Sequence, residues 1–114
     1  MNIDLLLKVK EQILKQPELF DMSRWFLPTE CGTAACIAGW AWLLSGREER
    51  EFSGDRTRMV PQLDLTAEQE RSLFHVCDWP RIFAGHYKSA RTPAYRARIG
   101  AERIDHFIAT NGDE

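Results

Sequence analysis

The chain has 114 residues, 44% apolar and 28% charged, with 17 acidic against 15 basic side chains and a net charge of −2. That length and composition suit one folded domain with its own core and exclude intrinsic disorder. Without a basic surplus to neutralise phosphates, nucleic acid is not an expected partner.

Taken in chain order, residues 3–15 predict a helix, with Leu6, Val9 and Ile13 forming an apolar stripe and Pro17 stopping it. Phe20, Met22, Trp25, Phe26 and Leu27 follow without clean period and read as an irregular or short helical connector. The central element is the most informative stretch. Cys31-Gly32-Thr33-Ala34-Ala35-Cys36 leads into Ile37-Ala38-Gly39-Trp40-Ala41-Trp42-Leu43-Leu44, and no residue from Ala34 to Leu44 is polar. A helix that apolar is expected to be buried on nearly every side. Thr33 is its expected N-cap, which places Cys36 at N3, and Gly46 its expected stop. Gly39 costs helix stability, so a close approach by a neighbouring helix is expected there.

Residues 47–62 are charged and broken by Gly54 and Pro61, and predict a solvated, mobile excursion. Thr66-Ala67-Glu68-Gln69 is a capping-box pattern that opens a helix to about Val76, with Leu73 and Phe74 as its apolar contacts. Trp79-Pro80 breaks it and opens a short helix through Phe83. Thr92-Pro93 starts the last helix, striped by Ala97, Ala101, Ile104, Phe107 and Ile108 and closed by Gly112. No stretch alternates as a strand would, and no Asn-Gly or Asp-Gly turn separates two apolar runs. The predicted fold is an all-α bundle in one domain, 1–114, with about four main helices, short extra helices and a central buried apolar helix.

The opening residues lack a basic region, and Lys8, Lys10 and Glu11 interrupt the first apolar stretch, so no secretory leader is expected. The Ala34–Leu44 run is shorter than the roughly 20 residues a membrane span needs. Three cysteines without framework spacing suit reduced thiols, so a cytoplasmic protein is expected, with no membrane partner.

The box Cys31-Gly32-Thr33-Ala34-Ala35-Cys36-Ile37-Ala38-Gly39-Trp40-Ala41 resembles the signature of a family of small uncharacterised bacterial and phage proteins. Phe20-Asp21-Met22 with Trp25, Leu63-Asp64-Leu65-Thr66, Leu73-Phe74, Trp79-Pro80 and Arg103-Ile104-Asp105-His106-Phe107-Ile108 resemble other parts of it. The resemblance implies one compact domain and no mechanism.

Four chemical readings compete. A reactive thiol needs Cys36 near a helix N-terminus, where the dipole favours thiolate, and Cys31 to resolve it; the plainer alternative is a small buried hydrophobe. A cysteine hydrolase is suggested by a superficial likeness of residues 31–37 to the nucleophile box of bacteriocin-type leader peptidases. That chemistry needs a histidine and a carboxamide or carboxylate from elsewhere in the fold; in those peptidases the histidine sits on a strand, whereas His75, His86 and His106 here are expected in helical or loop surroundings. A metal site would draw on Cys31, Cys36, His75 and Cys77, whose types suit zinc and whose spacing does not. An interaction module would use the aromatic-rich helix: Trp40 and Trp42 point to opposite sides, and one of them, or Trp79, would meet a protein partner, a second copy or a small ligand. The clustered Arg91, Arg96, Arg98 and Arg103 read as a solvated helix face.

The expected function is a non-catalytic protein-interaction or small-ligand-binding module without a cofactor, working as a homodimer or with another protein, with Cys31, Thr33, Cys36, Trp40, Trp42 and Trp79 as candidate binding residues. A thiol-based redox or metal-binding protein using Cys31 and Cys36 is the alternative.

Overall fold

Apolar stripes and caps, taken in order, account for most of the helices. The computed structural model describes residues 1–52 and 58–114. Helix α1 (Ile3–Lys15) starts where the Asn2 side chain accepts a hydrogen bond from the Leu5 amide, and it buries Leu5, Leu6, Val9 and Ile13. Pro17 ends it and opens a single 3-10 turn, Pro17–Leu19.

The connector and the start of the central helix depart from expectation. Strands β1 (Phe26–Thr29) and β2 (Gly32–Ala35) form an antiparallel hairpin around Glu30-Cys31, pairing Phe26 with Ala35 and Thr29 with Gly32. Ala35 also bridges to Phe20 on its other side, and its carbonyl accepts from the Asp21 amide at 3.1 Å. β2 is therefore the middle of three extended segments. Pro28, which has no amide hydrogen to offer, lies on the outer one. The fold is mostly helical but not all-α.

Helix α2 (Ile37–Leu44) consequently begins three residues later than a Thr33 cap would place it. Its N-cap is Cys36, whose Sγ accepts from the Gly39 amide at 3.4 Å while its own amide donates to the Arg24 carbonyl at 3.1 Å. Ala34 and Ala35 favour helix intrinsically, but pairing on two sides of β2 overrides that preference.

Gly39 does sit at a close approach, but to the backbone of Trp25 just before β1 rather than to a helix. A Cβ at Gly39 would run into the Trp25 carbonyl oxygen and lie 2.9 Å from the Ala35 Cβ. Gly100 plays the same part on the last helix, where a Cβ would lie 2.7 Å from the Phe20 ring.

Residues 46–51 after α2 are exposed, as expected of a solvated excursion, but the chain is tied down at Phe52 and again at Met59 and Val60. Phe52 enters an aromatic cluster with Trp25 (4.4 Å between ring centroids), Trp42 (5.4 Å) and Phe26 (5.8 Å). Val60 is fully buried, and the carboxylate of buried Glu70 accepts from the Met59 and Val60 amides at 2.8 and 2.9 Å. Residues 53–57 of this excursion lie outside the described residues.

Helix α3 (Ala67–Phe74) opens on the expected capping box, with Thr66 Oγ1 accepting from the Gln69 amide and Gln69 Oε1 from the Thr66 amide. It stops at Phe74, and Val76–Asp78 forms a 3-10 turn instead of its last turn. Helix α4 (Arg81–Ser89) runs well past Phe83. Helix α5 (Pro93–Ala109) follows the Thr92 cap and Pro93, as read. Helix α1 packs along α5 and across α2, and α4 packs on α5, around one continuous apolar cluster. Among the described residues, no helix is long and apolar enough to cross a membrane.

Replacing Gly39 by alanine forces the Trp25 backbone away from α2. Denaturant unfolding should show a loss of about 1–3 kcal/mol or more, and wild-type stability would contradict the contact. Glu70→Gln keeps the shape but loses a charged acceptor for two backbone amides. It should cost about 1–3 kcal/mol in the same measurement.

Candidate functional site

The turn from Phe20 to Ser23 is the first wall of a cleft. Asp21 Oδ1 accepts from the Ser23 amide at 2.9 Å and from Ser23 Oγ at 2.6 Å, an Asx turn that fixes the carboxylate. The Met22 amide donates to the Tyr87 hydroxyl oxygen of α4 at 3.0 Å, tying that turn to the other side of the molecule. The Tyr87 ring stands edge-on to Phe20 (6.1 Å) and to Trp79 (5.5 Å).

The cleft so formed has a volume of about 680 Å³. Pro17, Glu18, Phe20, Asp21, Met22 and Ser23 line one side; Leu27, Thr29 and Ala34 of the hairpin line another. Phe74, His75, Val76 and Cys77 after α3, with Tyr87, Lys88, Ala90, Pro93 and Arg96, close it. Apolar and aromatic surface therefore alternates with charges of both signs.

Burial raises the Tyr87 hydroxyl above its ordinary value of 10.0, opposed by the hydrogen bond from Met22 and reinforced by the negative charge of Asp21. Tyr87 is thus a neutral phenol at physiological pH. Cys36 behaves likewise: burial pushes its thiol from 9.0 up to about 11, more than the hydrogen bond from the Gly39 amide takes back. Its thiol is protonated, and its role here is to cap α2.

The residues singled out in the sequence do not converge. Cys31 is exposed in the hairpin turn and Cys36 is buried at the far end of β2. Five steps of largely extended chain hold the two on the order of 15 Å apart, beyond the reach of a disulfide. Thr33 lies in β2 opposite Pro28 and caps no helix. His75 and Cys77 are exposed beside the cleft. Among the described residues, no three histidine, cysteine, aspartate or glutamate side chains are placed to share a metal ion.

Trp40, Trp42 and Trp79 are all buried, and each indole N–H reaches a backbone carbonyl: Leu19 at 2.9 Å, Glu48 at 2.8 Å and Leu73 at 2.8 Å. Trp40 and Trp42 do reach opposite sides of α2, but both sides are interior, so neither ring presents a face to a partner. The arginines form no common stripe either. Arg96 lines the cleft, Arg98 pairs with Glu102 at 3.3 Å, and Arg103 is wholly buried.

Asp21, Tyr87 and Arg96, three of the polar groups of the cleft, were not among the candidates, whereas His75 and Cys77 at its edge were. Asp21 lies within the Phe20-Asp21-Met22 lead-in, but only the hairpin brings that turn opposite α4. Compared with protein-family models, with curated proteins and with solved structures, the chain matches none.

Alkylation of native protein should label exposed Cys31 and Cys77 and spare Cys36 until denaturation, read by peptide mass spectrometry; rapid native labelling of Cys36 would contradict its burial. Because the folded thiol holds its proton more tightly than the unfolded one, its contribution is full below pH 9.0 and falls away as pH rises towards about 11. Over that interval wild type should lose about 2–3 kcal/mol more than Cys36→Ala in denaturant unfolding.

Proposed function

We propose that the protein acts by binding a small, partly apolar ligand in the cleft between the Phe20–Ser23 turn, the hairpin and the α4–α5 corner, and that it performs no chemistry on that ligand. The observation that carries this reading is the cleft itself. Its volume of about 680 Å³ lies within the roughly 300–1,000 Å³ of small-molecule sites, which likewise combine apolar walls with a few fixed polar groups.

The polar groups are arranged for holding rather than for reaction. The Tyr87 hydroxyl is a neutral phenol already engaged by the Met22 amide, and the Asp21 carboxylate is locked by Ser23. Glu18 and Asp21 on one wall face a lining that also holds Lys88 and Arg96, which favours a neutral or zwitterionic ligand over one of high charge. The aromatic-rich helix α2 contributes indirectly: the box that precedes it supplies Ala34 to the lining and anchors the turn that carries Asp21. A ligand cleft is the form of the binding-module reading that suits buried tryptophans. Self-association through α2 would need Trp40 or Trp42 at the surface.

A fragment screen followed by amide chemical shifts tests this. Bound fragments should perturb Met22, Val76, Tyr87 and Arg96, and Val76→Trp, which places a large ring in the cleft, should abolish those shifts. Fragments that bind elsewhere, or that bind Val76→Trp unchanged, would contradict the assignment.

A further inference from the structure

Away from the cleft, the chain builds a second polar site around a buried cation. Arg103 of α5 is fully buried. Its guanidinium lies between two aromatic faces, 5.8 Å from the Trp79 centroid and 5.6 Å from that of Phe107. Nη2 donates to the Ser72 carbonyl and to Ser72 Oγ, each at 3.2 Å. An arginine held this way presents a fixed fork, the geometry that takes a carboxylate through two parallel bonds.

The fork is occupied by the side chain of Glu114. Nη1 donates to Oε1, and Nη2 donates to Oε2 at 2.7 Å. Ser72 Oγ donates to Oε2 at 3.3 Å, and His106 Nδ1 lies 3.2 Å from Oε1. Three side chains therefore converge on one carboxylate. Two features distinguish this from an ordinary ion pair.

First, every part of the cradle is positioned without Glu114. Trp79, Phe107 and the Ser72 carbonyl hold Arg103, and Phe83 packs on His106 at 5.2 Å. Second, the occupant is held through its side chain, which is only 10% exposed. The last backbone hydrogen bond of this segment runs from the Asp113 amide to the Thr110 carbonyl, and Glu114 reaches in through its side chain from an exposed backbone. A hollow of about 400 Å³, lined by Thr66, Glu68, Gln69, Ser72 and Asp113, adjoins it. In addition, Arg103 Nε is buried with no hydrogen-bond partner among the described residues, so the cation has donor capacity that Glu114 does not use.

We propose that Ser72, Arg103 and His106 form a receptor for small monocarboxylates, and that Glu114 is its tethered occupant, which an external carboxylate replaces when that side chain lifts. Glu68 and Asp113 beside the hollow oppose a second negative charge, so the receptor prefers a monocarboxylate to phosphate. The proposal is independent of the ligand cleft, which lies on other residues.

Acetate is the probe, with chloride at equal ionic strength as the control and phosphate as the competing anion. The readouts are Tm and the Arg103 Nε–H cross-peak in nitrogen–proton spectra. Glu114→Ala should lower Tm, and acetate should restore it saturably while shifting the Arg103 peak. Wild type should respond at least tenfold more weakly, because its own carboxylate competes, and phosphate should act less than acetate. Adding His106→Ala to Glu114→Ala should weaken the acetate response. If Glu114→Ala does not fold, Glu114→Gln preserves the shape and removes the charge. Equal effects of acetate and chloride, an unmoved Arg103 peak, or phosphate acting as strongly as acetate would overturn the proposal.

Discussion

The junction where β2 turns into α2 is the constraint on which the rest of the structure depends. Cys36 makes that junction with three groups: its amide fastens to the Arg24 carbonyl, its sulfur caps the Gly39 amide and its carbonyl accepts from the Trp40 amide. Gly39 then lets the Trp25 backbone lie directly against the first turn of α2. These contacts bring the 20–25 segment back across the hairpin. Once it is there, Phe20 packs against α5 at Gly100, Trp25 gathers Phe26, Phe52 and Phe74 around it, and Asp21 and Met22 face α4. The aromatic cluster and the cleft are thus two consequences of one local geometry.

The tryptophans extend the same logic to the irregular segments. A buried indole brings a large apolar ring and one obligatory donor. Trp40 gives its donor to Leu19 after α1, Trp42 to Glu48 after α2 and Trp79 to Leu73 near the end of α3. Each ring fastens a place where regular structure ends. That accounts for so many large rings in a small domain without any of them needing a partner at the surface. Glu70 does the equivalent for the chain at Met59 and Val60 with a buried carboxylate.

Helices with their own caps and stripes were legible from residue types alone. The Leu6, Val9, Ile13 stripe of α1, the Thr66–Gln69 capping box and the Thr92-Pro93 start of α5 are local signals, and tertiary contacts do not override them. The hairpin was not legible for physical reasons. Its strands are four residues long, its turn is Glu30-Cys31 rather than Asn-Gly, and Ala34-Ala35 favour helix when read alone. Missing the hairpin shifted the α2 cap from Cys36 to Thr33 and made Cys36 look like a nucleophile at N3. The same omission hid the cleft, whose polar groups belong to segments far apart in the chain. Arg103 was misread for a related reason: the aromatic faces and the carboxylate that permit its burial come from Trp79, Phe107 and Glu114, and only Phe107 lies on its own helix.

The most direct measurement is amide hydrogen exchange with backbone chemical shifts across residues 20–44. Protection of the Asp21, Met22 and Cys36 amides comparable to that within α2, with extended-chain shifts over Gly32–Ala35, is expected if the hairpin and the capped junction organise the fold. Helical shifts at Thr33, Ala34 and Ala35, or exchange of the Asp21, Met22 and Cys36 amides at the rate of an unstructured chain, would contradict it and would remove the wall on which the cleft is built.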